Sequence, residues 1–346
     1  MNPNPGDNAL NMPRLRGRAA RLATLCSAGL GAAVLIAFST AQAQNRPWPE
    51  RPVRVIVPGP AGSAPDAMAR LLGNKLSETW GQPVTVENVV GASGNIGTDR
   101  VAKAPADGYT LLYNTIGPIA VNVTLFAGKL PYDPLKDLTP VSLVVKVPNL
   151  LTVHPGLPFR SVRYLIAAAK RDGGKIRYAT AGPGTTQHLS GELLNMLAGL
   201  QMTGIPYKSS AQMTTDAIGG QFELMFHNAP VVLPHIKAGS LRALAITSGR
   251  RSPSAPDVPT MIEAGVDKFE ITAWFGFMAP AGTPPAVVQK VSADVARLVA
   301  APDVQSRILA DASEPVGSTP DEYGAFIRAE IAKWREVVKL TNMKPE

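Results

Sequence analysis

The chain has 346 residues, 45% of them hydrophobic and 17% charged, with a formal net charge of +8 and a single cysteine. That length suits two domains rather than one core, and the hydrophobic share excludes an intrinsically disordered chain. The positive excess is spread out with no Lys/Arg run, which argues against nucleic acid or a membrane surface as partner, and one cysteine excludes an internal disulfide or a thiolate metal site.

The first 43 residues read as a secretory signal peptide. Arg14, Arg16, Arg18 and Arg21 precede an apolar stretch from about Leu22 to Phe38, and Ala41-Gln42-Ala43 closes it, so cleavage is expected before Gln44. Cys26 follows Leu25 rather than a small residue and is not read as a lipidation site. No later segment reaches about 18 uninterrupted apolar residues, so the mature chain is expected to be soluble.

From residue 53 the pattern is strand, loop, helix, repeated. VRVIVP, VTVENVV and YTLLYNT read as buried strands, with AMARLLGNKLSETW between the first two as an amphipathic helix carrying Leu71, Leu72 and Leu76. A second series follows the long apolar run PVSLVVKVPNLLTVHP: helix VRYLIAAAKRD, strand IRYATAG, helix TQHLSGELLNMLAG, strand MTGIPY, helix AQMTTDAIGG, strand ELMFHN, helix VVLPHIKAG and strand LRALAIT. After a Pro-rich stretch comes the apolar run EITAWFGFMAP, then helices with no further strand. This alternation predicts two parallel sheets covered by helices on both faces. The two long runs read as two crossings between domains, giving a discontinuous first domain and a cleft with a two-strand hinge.

The candidate site lies in the loops at strand ends. In PGPAGSAPD (58–66), Ser63 and Asp66 have capping-box spacing and Pro65 falls in the first helical turn, so Gly59, Ala61 and Gly62 would bring bare N–H groups to the positive end of a helix. An ordinary capped crossover turn fits the same residues. The device recurs in ATAGPGTTQH (179–188), where Gly184 precedes Thr185 as the cap and Thr186. It recurs again in PYKSSAQ (206–212), with Ser209 and Gln212 in capping-box spacing, and in NTIGP (114–118), with Thr115, Ile116 and Gly117. All four loops end strands on the side where open α/β sheets bind ligands. Facing each other, they would clamp a small anion with N–H, Ser and Thr donors.

Enzymatic motifs are missing from the sequence. GASGNIG (91–97) is spaced G-x-x-G-x-x-G, a near miss of the dinucleotide fingerprint; there is no P-loop and no G-x-S-x-G elbow. No histidine pairs with another His or a carboxylate at metal spacing, and no cofactor is implied. His154 and His235 read as structural, and His188 stands in the first turn of a site helix. His227, with Asn228, ends a strand toward the cleft; it is a candidate ligand contact or a turn residue bonding local backbone. Asp66 and Arg70 have the spacing of a surface ion pair. Trp274 and Phe275 either line the hinge side of the cleft or belong to the core.

Taken in order, WPERPVRVIVP, GQPVTVENVVGASGNIG, ADGYTLLYNTIG, LPYDPLKDLTPVSLV, YATAGPGTTQHLSGELL, PYKSSAQMTTDAIGGQ, LPHIKAGSLRALAITSGRRSPSAPDVPTMIEAG, WFGFMAPAGTP and PVGSTPDEYGAFIRAEIAKW resemble the substrate-binding proteins of tripartite tricarboxylate transporters, the Bug proteins. The resemblance spans the whole mature chain. It implies an α/β fold of two Rossmann-like lobes with a ligand cleft and a two-strand hinge, the type II periplasmic-binding-protein fold. The expected division is a signal peptide at 1–43, a first lobe of 44–146 and 273–346, and a second lobe of 147–272. It also implies a small organic acid held by the loop at 58–63, the turn 115–117, residues 184–186 and the loop at Ser209. A membrane permease, or alternatively a sensor kinase, would then be the partner of a monomer in the periplasm; a secreted enzyme is the remote alternative.

Three departures stand out. Where the family has Phe-Ala-Ala-Gly-Gly, this chain has Gly59-Pro60-Ala61-Gly62-Ser63; Ser209 replaces a usual Gly, and His227 a usual Asp. Loss of an acid at 227 is expected to disfavour amine-bearing ligands and to favour plain or multiple carboxylates.

Overall fold

Val53, Val55, Ile56 and Val57 are wholly buried with Arg54 alone exposed, the signature of a strand covered on both faces. It is β1 (Val53–Val57) of a computed structural model that describes Met1, Asn2, residues 48–340 and Met343. Apart from Met1 and Asn2, the expected signal peptide, with Cys26, lies outside the described residues. The chain divides after Glu50, and the unit Arg51–Glu346 carries all the described strands and helices.

The first series runs β1, α1 (Ala64–Trp80), β2 (Val84–Asn88), α2 (Asn95–Ala102) and β3 (Thr110–Thr115). A π-turn at Gly117–Val121 and the short α3 (Asn122–Leu125) follow. Helix α1 buries Met68, Leu72, Leu76 and Trp80 and ends at Gly81, whose φ of 64° lets its N–H return to Ser77. The long run forms one strand, β4 (Leu138–Val153). Beyond it come α4 (Val162–Arg171), β5 (Arg177–Thr180), α5 (Thr186–Ala198), β6 (Thr203–Pro206), α6 (Ser210–Ile218), β7 (Leu224–Asn228), α7 (Ala229–Lys237) and β8 (Arg242–Ile246). The second run is β9 (Thr272–Pro280), followed by α8 (Pro285–Ala300), α9 (Pro302–Ala310), β10 (Glu314–Pro315) and α10 (Pro320–Leu340).

Strand order is β2-β1-β3-β9-β4-β7-β5-β6, with β8 and β10 also paired to β4. Two expectations are corrected here. The sheets are not purely parallel: β9 runs antiparallel to both β3 and β4, and β4 antiparallel to β7 and β8. One crossing carries the chain out and the other brings it back, so they must oppose each other. A further strand, β10, also follows β9 and pairs with Val145 and Lys146.

Strand β4 belongs to both halves. Leu138–Pro148 pairs with β9, and from Asn149 the same strand pairs with β7, Asn149 opposite Asn228 and Leu150 opposite His227. The two faces of β9 separate its aromatics. Trp274 is 1% exposed, stacks edge-on against Tyr323 of α10 and donates its indole N–H to Glu330, whereas Phe275 lies beside Tyr113 on β3.

Candidate functional site

The loop after β1 is tied from beneath. Gly62 donates its N–H to Asp66 Oδ2 at 2.9 Å, and Asp66 Oδ1 accepts from Arg70 Nε at 3.0 Å. Arg70 also donates to Asn88 Oδ1, and Asn88 Nδ2 donates to the Gly59 carbonyl at 3.1 Å. Asp66 is 4% exposed, so the Asp66–Arg70 pair expected on the surface is instead half-buried and braces the loop. Burial pushes the Asp66 carboxyl up, but the hydrogen bonds from Arg70, Gly62 and Asn88 outweigh it and hold it below the usual carboxylate value.

Ser63 occupies the N-cap position of α1, but its side chain does not cap. Its hydroxyl donates to the Pro60 carbonyl at 2.6 Å, and the acid of the expected capping box takes the Gly62 N–H instead. Gly62 therefore does not offer a bare donor. Among the described residues nothing accepts the N–H of Ala61, Ala64 or Asp66, so these donors remain at this end of α1.

GASGNIG proves to be a packing device rather than a nucleotide loop. Gly94 sits at φ 88°, and a Cβ there would come 2.9 Å from the Pro58 carbonyl; at Gly97 it would come 2.8 Å from that of Val89. Close approach of bare backbone seats this turn under the start of the 58–63 loop. The Ser93 carbonyl accepts from Asn122 Nδ2, which also donates to Asn95 Oδ1 at 2.7 Å.

The loops after β3 and β5 meet. A Cβ on Gly117 would lie 3.1 Å from the Gly184 carbonyl, and one on Gly184, at φ 75°, would overlap Asn122 Oδ1. Thr115 is half-buried and Ile116 3% exposed beside them. Thr185 caps α5 as expected, accepting the His188 N–H at 3.4 Å and donating to the Gly182 carbonyl. Ser209 caps α6 through the Gln212 N–H, but Gln212 turns its own side chain to Asp216. His154 accepts from the Gly156 N–H, the structural role expected of it.

His227 is 1% exposed, and its Nε2 lies 3.0 Å from Ser210 Oγ. Burial, with His235 nearby, pushes its pKa down to about 4, so the ring is neutral near neutral pH. Its partner is a helix side chain rather than the local backbone. Asn228 projects from the other face of β7 and joins a network the sequence reading missed. Asn149 Oδ1 accepts from Asn228 Nδ2 at 2.8 Å and from Thr186 Oγ1 at 3.4 Å, and Asn149 Nδ2 donates to Ser190 Oγ. Thr247 Oγ1 accepts the Asn149 N–H at 2.8 Å. The available signal was an amide inside an apolar strand, VPNLL, since such a group must find partners when buried.

Beside these loops is a cavity of about 340 Å³, bounded by α1, the start of α7 at Pro230, and Val147 and Phe275 of the two crossing strands. Phe275 thus lines a cavity while Trp274 is core. Among the described residues no group of three or more His, Cys, Asp or Glu is placed to hold a metal ion, and no helix is long and apolar enough to cross a membrane.

The chain is similar to BugT of Bordetella pertussis, 41% identical over 298 residues that cover 86% of this chain and 91% of that protein. Among solved structures it is similar to R. palustris Rpa4515 with adipate, at 38% identity and a TM-score of 0.83, covering 87% of this chain and all of that one. It is also similar to MatC from Rhodopseudomonas palustris with bound malate, at 34% identity and a TM-score of 0.79, covering 84% of this chain and all of that one. The family model for the tripartite tricarboxylate transporter family receptor matches residues 68–343, and the chain belongs to that family of solute-binding proteins.

Proposed function

We propose that this protein is exported to the periplasm, closes its two lobes on a small organic carboxylate and passes it to a tripartite tricarboxylate-type permease. The convergence of the loops after β1, β3 and β5, with the Ala61, Ala64 and Asp66 N–H groups left for a ligand, carries this reading. The adipate and malate held by Rpa4515 and MatC support a carboxylate as the ligand. In this reading the anion is gripped by backbone N–H groups at the start of α1 and by the hydroxyls of Thr115 and Ser209, while Ser63, Thr185 and Thr186, whose hydroxyls donate to Pro60, Gly182 and Asn149, hold the loops in shape around it. Gly59, Ile116, Gly117, Gly184 and Asn228 shape the walls, and His227 acts from behind Ser209 through Ser210.

The first lobe would comprise 44–146 and 273–346 and the second 147–272, since β4 changes partners between Pro148 and Asn149. Closure is then a population shift about β4 and β9, favoured by a ligand that touches both lobes. The mature monomer would begin near Gln44. Binding without turnover fits the commitments of the nearby titratable groups, Asp66 to Arg70 and Gly62, and His227 to Ser210.

Thermal unfolding against a panel of organic acids, each mixture checked by NMR for conversion, tests the proposal. An acid at about 100 times its Kd adds roughly 2.7 kcal/mol of stability, which raises the midpoint by several degrees. Midpoints unmoved by every acid, or an acid chemically altered after incubation, would overturn it.

A further inference from the structure

The walls of the 340 Å³ cavity differ in kind from the loops beside it. Ala64, Ala67, Met68 and Leu71 stand at i, i+3, i+4 and i+7 on α1, so one helical stripe makes a continuous apolar wall. Val147 and Phe275, each no more than 2% exposed, add to it from the crossing strands. The charged groups that reach the cavity are Arg307 and Asp311 of α9. They neutralise each other, Arg307 Nε donating to Asp311 Oδ2 at 3.0 Å.

The cavity also adjoins the proposed anion grip. Ala64 directly follows Ser63, Phe275 pairs with Thr115 across β3 and β9, and Pro230 lies two residues beyond Asn228. A carboxylate held by the loop after β1 therefore has this apolar wall next to the rest of its molecule. For scale, an apolar cavity of about 150 Å³ holds a benzene ring. The space here suits a ring with a short linker, or a chain of several carbons.

We infer that this cavity receives the hydrocarbon part of the ligand, and that the ligand class is a monocarboxylate with an aromatic or aliphatic body. The inference rests on the carboxylate reading above and narrows it. A second carboxylate would gain little here: the one cation at the wall, Arg307, has a side chain 69% exposed and is already paired with Asp311, so water serves a second charge better than this apolar surface does. Rpa4515 and MatC differ here, since adipate and malate each carry two carboxylates.

Calorimetric titration of the protein, expressed as the full chain, with phenylacetate, hexanoate, adipate and propionate is the test. Phenylacetate and hexanoate are expected to bind about tenfold or more tighter than propionate, because each extra buried methylene adds affinity, and about tenfold tighter than adipate, whose second carboxylate finds no free partner at this wall. Ala67→Leu places a larger side chain in the cavity from an exposed position of α1. It is expected to lower the phenylacetate-to-propionate affinity ratio by about tenfold. Adipate binding as tightly as hexanoate would overturn the inference and leave the carboxylate reading standing. An unchanged ratio in a folded Ala67→Leu would do the same. Binding of none of the four acids would overturn the inference, and the wider thermal panel would then decide the carboxylate reading by itself.

Discussion

Gly184 offers a direct test of whether the loops after β3 and β5 meet in the ligand-bound state. Alanine there does two separable things. At φ 75° the added carbon strains the backbone by about 1–2 kcal/mol, a cost paid in every folded conformation and so read as lost stability. The same carbon overlaps Asn122 Oδ1, but only where the two loops touch. Asn122 has little room to yield: it is 0% exposed, and its Nδ2 is held by Ser93 and Asn95. Overpacking of this kind costs about 1–3 kcal/mol. Charged to the closed state alone, it raises Kd about 5- to 150-fold. Gly199→Ala is the matched control, at φ 63° with no atom within 4 Å of the new carbon. Calorimetric titration with the acid that gives the largest thermal shift, together with urea denaturation, separates the two effects. Both variants should lose stability, and Gly184→Ala alone should lose affinity. Wild-type affinity in Gly184→Ala would show that the contact is not part of the bound state.

Three further outcomes are expected. The pKa of His227 falls from 6.5 to about 4 on folding, so as pH drops through that window the unfolded chain gains a proton that the fold refuses; stability then declines by about 3 kcal/mol in all, and His227→Gln flattens that slope in urea melts between about pH 7 and 4. Asp66→Asn removes the charge that holds Gly62 and Arg70 and costs about 1–2 kcal/mol at neutral pH. Because the Asp66 pKa is depressed, its contribution is present above the usual carboxylate pKa and lost as pH falls through the folded value, so the wild type and variant converge in strongly acidic denaturation series. Asn149→Ala strands the amide of Asn228 and the hydroxyls around it and lowers the urea midpoint by the equivalent of about 1–3 kcal/mol; a midpoint equal to wild type would mean the network carries no stability.

The strands were readable because burial on both faces leaves apolar runs such as VRVIV and the Leu138–Val153 segment, and the caps at Thr185 and Ser209 because their hydroxyls stand where a helix needs an acceptor. Direction was not readable. Periodicity marks a strand without saying which way its neighbour runs, so the antiparallel entry of β9 between β3 and β4 came only with three dimensions. Ser63 misled for a local reason: with Gly62 at φ 75°, the carboxylate of Asp66 meets the N–H of residue 62 rather than that of the cap. The glycines at 94 and 97 carried spacing without context, and their use, close approach to Pro58 and Val89, depends on backbone far from them in sequence. His227 stands out in the sequence for its place at a strand end, yet Ser210, its partner, lies on a different element.

The position of β9 has a kinetic consequence. During synthesis β1, β2 and β3 emerge early, but β3 keeps an unpaired edge until the chain from Thr115 to Thr272 has been made, because the strand that covers it is the ninth. The N-terminal third therefore cannot finish its sheet until the later part of the chain has arrived, and its folding nucleus must wait for a contact of large sequence separation. A bare strand edge of that duration invites mispairing with other chains. Folding should accordingly be slow, concentration-sensitive and limited by the docking of β9, while the segment between the two crossings can gather its own strands first.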